Sequence, residues 1–207
     1  MEKEQFLKIF ELYKLTAKLK NTLRQGWVKW CVEGERVESV AEHVFGTCML
    51  AMSIYAETKP KVDIDKVILM LVLHETEEIL IGDITIEEVE KLKTKKEDGR
   101  KAVLDIFKDF GNAEHFLSFI EEFEAKETPE AIFANHCDKF EADLQAFHYE
   151  GKFNIDKVDK KILELPQLQE LKNNGYSKVS QFFLQNDKCK FSGDFLEMAN
   201  FLEEMEK

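Results

Sequence analysis

The chain has 207 residues, 44% of them hydrophobic, and a formal net charge of −12. Its length suits one domain with a full hydrophobic core, and its charge argues against a nucleic-acid polymer as partner, because phosphate backbones are bound by clustered Lys and Arg. Residues 1–5 lack signal-peptide character, and no apolar run approaches the roughly 20 residues of a membrane span. The four cysteines include no C-x-x-C pair. We therefore expect a cytoplasmic protein that does not bind a membrane.

The N-terminal part of the chain is predicted to contain two long helices joined by loops. An amphipathic pattern predicts a helix over 4–20. A glycine and the loss of periodicity predict a loop over 23–30. Ser39 followed by Glu42 is a capping-box sequence, which predicts a helix that starts there and ends at about Glu57.

A run of seven apolar residues, 67–73, marks the most buried helix of the chain. This helix is predicted to begin at Asp63 or Asp65 and to continue to about Ile81, in the middle of a helical bundle. Its end brings His74 and several carboxylates into the interior. Buried ionisable groups are costly unless they are paired or bind a metal, so this segment predicts part of a divalent metal site.

The second half of the chain is also predicted to be helical. A charged, irregular segment before residue 98 contains a short helix, and three longer helices follow; these four are predicted over 86–93, 98–110, 113–126 and 129–149. Thr128-Pro129 supplies the cap and the first-turn proline of the last one. Residues 152–207 are predicted to add two or three helices. The fold class is therefore all-α, with a helical core over 1–150 and a C-terminal helical extension over 151–207 packed on it.

Four side chains outside the central helix could take part in chemistry, although each has an ordinary structural interpretation. Arg24 could bind an anion and Trp27 could stack on a planar ring, or their segment could be a lid on the core. His43 lies in a first helical turn, where a single histidine is usually capped or solvated. Asp138 has small neighbours on its helix face, which leave room for a ligand, whereas an exposed aspartate is the simpler interpretation.

Together, His43, then His74 with an adjacent acid, then Asp138 resemble the H…HD…D pattern of the HD-domain metal-dependent phosphohydrolases. Over about residues 5–150, local matches resemble the 5′-deoxynucleotidase branch of that superfamily. The matching segments are Arg24-Gln25-Gly26-Trp27, Glu38-Ser39-Val40-Ala41-Glu42-His43, His74-Glu75-Thr76-Glu77-Glu78, Gly82-Asp83-Ile84, His136-Cys137-Asp138-Lys139 and Leu144-Gln145-Ala146. One position departs from the family doublet, which is His-Asp, because this chain has Glu75 after His74.

The resemblance implies an all-α HD-domain helical bundle that carries one divalent transition-metal ion, which could be Mn, Co, Ni, Fe or Zn. The ligands, carried over by position, are His43, His74, Glu75 and Asp138. The implied activity is that of a phosphoric monoester hydrolase. Such an enzyme releases phosphate from (deoxy)ribonucleoside 5′-monophosphates by attack of a metal-bound water.

The remaining site residues also follow from the resemblance. Glu78 would orient or deprotonate the attacking water, and Asp83 would contact Arg24 or the leaving sugar hydroxyl. Three residues would bind the substrate nucleotide: Arg24, Trp27 and Glu38. Arg24 would hold the phosphate, and Trp27 would pack near the base or the sugar. Members of this branch are often dimers, so the resemblance also implies a homodimer.

Three other functions fit parts of the same pattern. An HD-fold hydrolase of a nucleoside triphosphate or a guanosine polyphosphate would need more basic residues than the candidate loops supply. A two-iron oxygenase or a cyclic-dinucleotide phosphodiesterase would need further histidines, and only His115 and His136 lie between the doublet and Asp138. Because the family Asp is Glu75 here, a non-catalytic metal- or nucleotide-binding protein is the third alternative.

Overall fold

The structure is a computed structural model that describes residues 1–85 and 88–205. These residues form helices and connecting turns with only two isolated β-bridges, so the predicted all-α class is confirmed. The α-helices, numbered in chain order, are α1 (Lys3–Thr16), α2 (Gln25–Lys29), α3 (Val40–Thr58), α4 (Ile64–Leu73), α5 (Glu78–Ile81), α6 (Val89–Phe107), α7 (Ala113–Ala125), α8 (Pro129–His148), α9 (Lys160–Leu163), α10 (Pro166–Asn173), α11 (Val179–Lys188) and α12 (Asp194–Met205). Within the described ranges, none of these helices combines the length and the apolar character needed to cross a membrane.

Three of the predicted helix starts are confirmed by capping hydrogen bonds. The side chain of Ser39 accepts the backbone N–H of Glu42, whose carboxylate accepts the N–H of Ser39 in return, and α3 begins at the next residue. Asp63 caps α4 and Thr128 caps α8, each by accepting backbone N–H groups of the first turn. These bonds satisfy donors that every helix start leaves unpaired.

The central helix ends earlier than predicted. Helix α4 ends at Leu73 rather than near Ile81, and a turn separates it from the short α5. In that turn the amide of Thr76 donates to the carbonyl of Leu73, three residues back, whereas an α-helical hydrogen bond would reach four residues back. The imidazole of His74 lies 2.7 Å from the carbonyl oxygen of Leu71, so a side chain occupies an acceptor of the last helical turn. The predicted continuation of the helix is therefore wrong.

A short helix replaces part of the loop predicted over 23–30. Gln25–Lys29 forms the five-residue helix α2. The amide of Gln25 donates to Oδ2 of Asp83 at 2.6 Å, so the first turn is capped by a residue 58 positions away in the chain. A cap supplied over such a distance leaves no local sequence pattern.

The charged segment before residue 98 is helical rather than irregular. One helix, α6, covers Val89–Phe107, where two helices over 86–93 and 98–110 are predicted; residues 86 and 87 lie outside the described residues. Lys and Glu are strong helix formers, so this segment forms a helix without an apolar periodicity. The C-terminal segment, as far as residue 205, contains the four helices α9 to α12 instead of the two or three predicted.

Helices α3, α4 and α8 pack against one another and form the centre of the fold. Their contact encloses the main hydrophobic core, to which α11 and α12 also contribute. Its buried members include Cys48, Ala51, Ile54, Val67, Met70, Leu71, Ala134, Cys137, Phe140, Leu184, Phe195, Ala199 and Leu202. This packing brings the start of α3, the end of α4 and the middle of α8 to one place in the interior.

Helix α8 also buries a carboxylate at its contact with α11. Asp143 is 1% exposed, and neither of its oxygens has a hydrogen-bond partner in the described part of the chain. Burial, reinforced by the charge of Asp187 on α11, raises the pKa of Asp143 to about 8. Because the folded-state pKa exceeds the unfolded one, the stability contributed by this group is greatest below about pH 4 and is lost as the pH rises toward 8.

Asp143→Asn is therefore expected to raise the free energy of unfolding at pH 8 by about 1–3 kcal/mol, because it removes the ionisation of an unpaired buried group. The gain should be much smaller at pH 5, where the folded-state carboxyl already holds its proton. Urea unfolding followed by circular dichroism at both pH values measures the difference. The exposed Asp109 provides the control substitution Asp109→Asn. An equal effect of Asp143→Asn at the two pH values would contradict the raised pKa.

Candidate metal centre

Both ring nitrogens of His43 face carboxylates of α8. The side chain of His43 is 0% exposed and lies in the first turn of α3, which the Ser39 cap fixes. Its Nε2 lies 3.1 Å from Oδ1 of Asp138, and its Nδ1 lies 2.5 Å from Oε2 of Glu141. One nitrogen is therefore turned toward Asp138, whereas the other is held by Glu141.

His74 presents a buried nitrogen without a hydrogen bond. Its Nδ1 lies 2.7 Å from the carbonyl oxygen of Leu71, which can only accept, so Nδ1 carries a proton and donates it. Its Nε2 lies 3.4 Å from Oδ1 of Asp138 and 3.7 Å from Oε1 of Glu75, and it forms no hydrogen bond with any described residue. A buried imidazole fixed through one nitrogen, with the other aimed at two carboxylates, is what a metal-binding histidine provides.

Glu75 lies in the turn after α4, and its carboxylate faces Nε2 of both His43 and His74. Its Oε1 lies 3.9 Å from Nε2 of His43 and accepts a hydrogen bond from Nη1 of Arg24 at 3.0 Å. The structure brings one potential ligand atom from each of four residues within 4.8 Å of one another: His43, His74, Glu75 and Asp138. Two imidazoles and two carboxylates suit a divalent transition metal. These residues fit such an ion, and the change from Asp to Glu keeps a carboxylate in the cluster.

The histidines and carboxylates of this cluster shift one another's pKa values. Burial and the Arg24 guanidinium lower the pKa of His43, but its bonds to Asp138 and Glu141 raise it more, to about 9. Burial raises the pKa of Asp138, yet its contacts with the two histidines outweigh burial and hold that pKa well below its usual range. The carboxylates therefore favour positive charge between the four side chains. A divalent cation can supply this charge in place of the protons on the imidazole rings.

Glu78 is a buried carboxyl next to the cluster. It is 3% exposed, and its Oε2 has no hydrogen-bond partner within residues 1–85 and 88–205. Nζ of Lys95 on α6 lies 3.9 Å from its Oε1. Burial, reinforced by the charges of Glu75 and Asp83, raises the pKa of Glu78 to about 10. A carboxyl in this position can hold or accept a proton beside the candidate metal centre.

Arg24 is a fixed cation at the edge of the cluster. It precedes α2, and Asp83 holds the amide of the next residue, Gln25. Burial lowers the pKa of Arg24, but the charges of Glu75 and Asp83 outweigh burial and raise the pKa above its usual value. The guanidinium therefore stays protonated, and its hydrogen bond to Glu75 uses one of its five N–H donors.

Trp27 and Glu38 form a buried hydrogen-bonded pair. Trp27 is 2% exposed, packs against Tyr149 and Phe183, and donates its Nε1–H to Oε1 of Glu38 at 2.6 Å. The backbone amide of Glu38 donates to the hydroxyl of Tyr149 at 3.1 Å. Contact of these two residues with substrate stays a prediction.

Glu141 contacts the cluster through His43, although no sequence motif indicated it. It is on α8, three residues after Asp138, and both carboxylates reach the same imidazole. The signal that could have identified it is this spacing, because residues three apart lie on one face of a helix.

Comparison with known proteins identifies the family of this chain. Residues 16–178 match the family model of the HD domain. The chain belongs to the HD domain family. A 5′-deoxynucleotidase of Schizosaccharomyces pombe is 30% identical over 163 residues, which cover 76% of this HD-domain chain and 80% of that protein. A 5′-deoxynucleotidase of Dictyostelium discoideum is 31% identical over 147 residues, which cover 68% of this chain and 76% of that protein.

Solved structures share the HD-domain fold found here. A protein of Pyrococcus horikoshii superposes with a TM-score of 0.60 at 26% identity, over 84% of this chain and 99% of that one. A predicted metal-dependent phosphohydrolase of Magnetospirillum magnetotacticum superposes with a TM-score of 0.59 at 27% identity, over 90% of this chain and 94% of that one. The resemblance inferred from the short motifs is therefore confirmed over most of the chain.

Proposed function

We propose that this HD-domain protein is a metal-dependent phosphohydrolase that releases phosphate from nucleoside 5′-monophosphates. One divalent transition-metal ion would be held by His43, His74, Glu75 and Asp138. The observation that carries the proposal is the meeting of these ligand atoms within 4.8 Å, around a His74 nitrogen that has no hydrogen bond within the described structure. Two related 5′-deoxynucleotidases support the substrate class, because the chain resembles each of them over more than two thirds of its length.

The chain itself would contribute phosphate binding and proton transfer. When bound, the ion supplies Lewis-acid polarisation of a phosphoryl oxygen and lowers the pKa of nearby water. Arg24 binds the substrate phosphate through charge-assisted hydrogen bonds from the donors that Glu75 leaves free. Asp83 fixes the segment from which Arg24 projects. Without an ion, the raised pKa keeps Glu78 protonated. The positive charge of a bound ion would lower that pKa, and the ionised carboxylate would then accept the proton of the attacking water at Oε2, an oxygen without a hydrogen bond to any described residue.

A phosphate-release assay tests the proposal against its two main alternatives. The protein is loaded separately with Mn(II), Co(II) and Zn(II) and is offered deoxynucleoside 5′-monophosphates, the matching 3′-monophosphates and nucleoside triphosphates. Inorganic phosphate is expected from the 5′-monophosphates. Preferential cleavage of triphosphates would favour a hydrolase of longer phosphate chains. Metal binding without turnover of any nucleotide would favour a non-catalytic binding protein.

From the sequence alone, Glu75→Asp is predicted to keep the fold and to raise metal affinity, because it restores the family doublet. The contacts of Glu75 with Arg24 and His43 favour the opposite result, weaker metal binding in a protein that stays folded. The shorter side chain withdraws the carboxylate by about 1.5 Å, whereas metal–oxygen bonds tolerate only about 0.2 Å. Co(II) titration against a competing chelator measures the change. The matched control is Glu77→Asp, the same substitution at a buried position outside the ligand cluster, which should keep the wild-type affinity. Tighter binding by Glu75→Asp would show that the glutamate strains the site.

A further inference from the structure

The nitrogen of His43 that faces away from the candidate metal centre has its own partner. Its Nδ1 lies 2.5 Å from Oε2 of Glu141, although the two residues are 98 positions apart in the chain. The two side chains are 0% and 11% exposed, so water competes little for this contact. The packing of α3 on α8 therefore determines which group accepts the hydrogen bond from Nδ1–H of His43.

Gly46 leaves the space that this contact requires. It lies three residues after His43 on α3, and so on the same side of that helix. A Cβ atom built on Gly46 would overlap Oε1 of Glu141 and lie 3.1 Å from its Cδ. Glycine inside a helix is less favourable than alanine, because it loses more conformational freedom on folding. The glycine thus occupies a position where any larger residue would displace the Glu141 carboxylate.

The neighbouring carboxylate of Glu38 is held by different groups. Potential ligand atoms of Glu38, His43 and Glu141 lie within 4.8 Å of one another. Glu38 accepts the Nε1–H of Trp27 at 2.6 Å, and its backbone amide donates to the hydroxyl of Tyr149. These bonds fix Glu38 in place, and Glu141 is the group that accepts the hydrogen bond from Nδ1–H of His43.

We propose that Glu141 is a positioning residue for His43 and that Gly46 is required to admit it. This role rests on the proposed function, in which His43 binds the ion through Nε2. By accepting a hydrogen bond from Nδ1–H, Glu141 selects the tautomer that leaves Nε2 available, and its negative charge increases the basicity of that nitrogen. The same bond fixes the plane of the ring, so that Nε2 points toward Asp138. Glu141 acts through His43 and does not itself contact the reacting atoms.

Co(II) binding tests this role without a measurement of turnover. Affinity is measured by competition with a chromophoric chelator, and the visible spectrum of the bound Co(II) reports its ligand geometry. Glu141→Ala is expected to weaken Co(II) binding about 10–100-fold and to alter the spectrum. This is the usual range for loss of a residue that hydrogen-bonds to a metal ligand. Glu141→Gln should fall between Glu141→Ala and the wild type, because its amide oxygen accepts the same hydrogen bond without a charge.

Gly46→Ala tests the contact between His43 and Glu141 through the space that Glu141 occupies. In the wild-type background it should weaken Co(II) binding, because the added methyl group displaces the Glu141 carboxylate. In the Glu141→Ala background it should have little further effect, since the group that it would displace is absent. Circular dichroism on every variant establishes that the helical fold is retained.

Wild-type Co(II) affinity and an unchanged spectrum in Glu141→Ala would overturn the positioning role and leave the metal centre intact. The role would also be overturned if Gly46→Ala weakened Co(II) binding equally in the wild-type and the Glu141→Ala backgrounds. If Glu141→Ala does not fold, wild-type affinity in both Glu141→Gln and Gly46→Ala overturns the role. Absence of Co(II) binding by the wild-type protein would instead overturn the metal centre itself, and the positioning role with it.

Discussion

His74→Ala is expected to reduce the affinity for divalent transition metals by at least about 100-fold, because it removes one of four ligands. This loss is larger than that expected when a residue that only hydrogen-bonds to a ligand is removed. No described residue is placed to replace its Nε2, which lies between the carboxylates of Asp138 and Glu75. The protein should stay α-helical, although loss of the ring that packs on Phe123 leaves a cavity. Metal content after dialysis and Co(II) titration measure the loss, and circular dichroism measures the helix content.

His136→Ala controls for the removal of a buried imidazole. His136 lies two residues before Asp138, but its Nε2 lies 3.1 Å from the carbonyl oxygen of Lys190 and its ring packs on Phe195. The substitution leaves a comparable cavity without removing a potential metal ligand, so metal affinity should be unchanged. Full metal occupancy in His74→Ala would show that the proposed ligand set is wrong.

Glu78→Gln is expected to lower kcat by roughly 100-fold or more, the range for a lost general base, while metal affinity stays the same. Glutamine keeps the shape of the side chain, but its amide cannot take up a proton from the attacking water. Steady-state kinetics on the best 5′-monophosphate, together with Co(II) titration, separates the two quantities.

Glu77→Gln is the matched control for this substitution. Glu77 is 7% exposed, and its Oε2 also has no hydrogen-bond partner in the described ranges. Burial, reinforced by the charge of Glu75, raises its pKa to about 7, but its side chain packs against Gly99 of α6. This variant should therefore retain kcat. A kcat within a few-fold of the wild type in Glu78→Gln would make Glu78 a structural partner of Glu75.

Helix starts were the most predictable part of the fold, because their signals are local. Ser39, Asp63 and Thr128 each lie within three residues of the amides that they cap. The apolar run 67–73 predicts burial for a similar reason, since a helix without a polar face has to lie inside. Both kinds of signal depend on a few neighbouring residues and are independent of the tertiary structure.

The end of α4 and the start of α2 depend on contacts that the sequence does not display. Asp83 caps α2 from 58 positions away. The residues after Leu73 have ordinary helical propensities, and the turn there accompanies the bond of the His74 ring to a carbonyl of the preceding turn. In that turn Glu75 reaches Arg24 and His43, a geometry that was not part of the straight helix predicted from the sequence.

The candidate site could be predicted as a set of residues but not as an arrangement. The motifs name His43, His74 and Asp138 as ligands, yet they do not say what each ring nitrogen contacts. Glu141 and Gly46 are ordinary helical residues in the sequence. Their relation arises only where α3 packs on α8, because the missing side chain of one makes room for the carboxylate of the other.

The candidate ligands come from parts of the chain that only folding brings together. His43 and Asp138 are 95 residues apart in sequence, and α3 and α8 hold their side chains at 3.1 Å. An ion bound between them is a reversible cross-link that the unfolded chain cannot form. At a free-ion concentration 100 times Kd, binding to the folded state alone adds about 2.7 kcal/mol to the free energy of unfolding. A chelator would therefore lower the free energy of unfolding of this protein, and metal availability would set its thermal stability as well as the fraction of loaded sites.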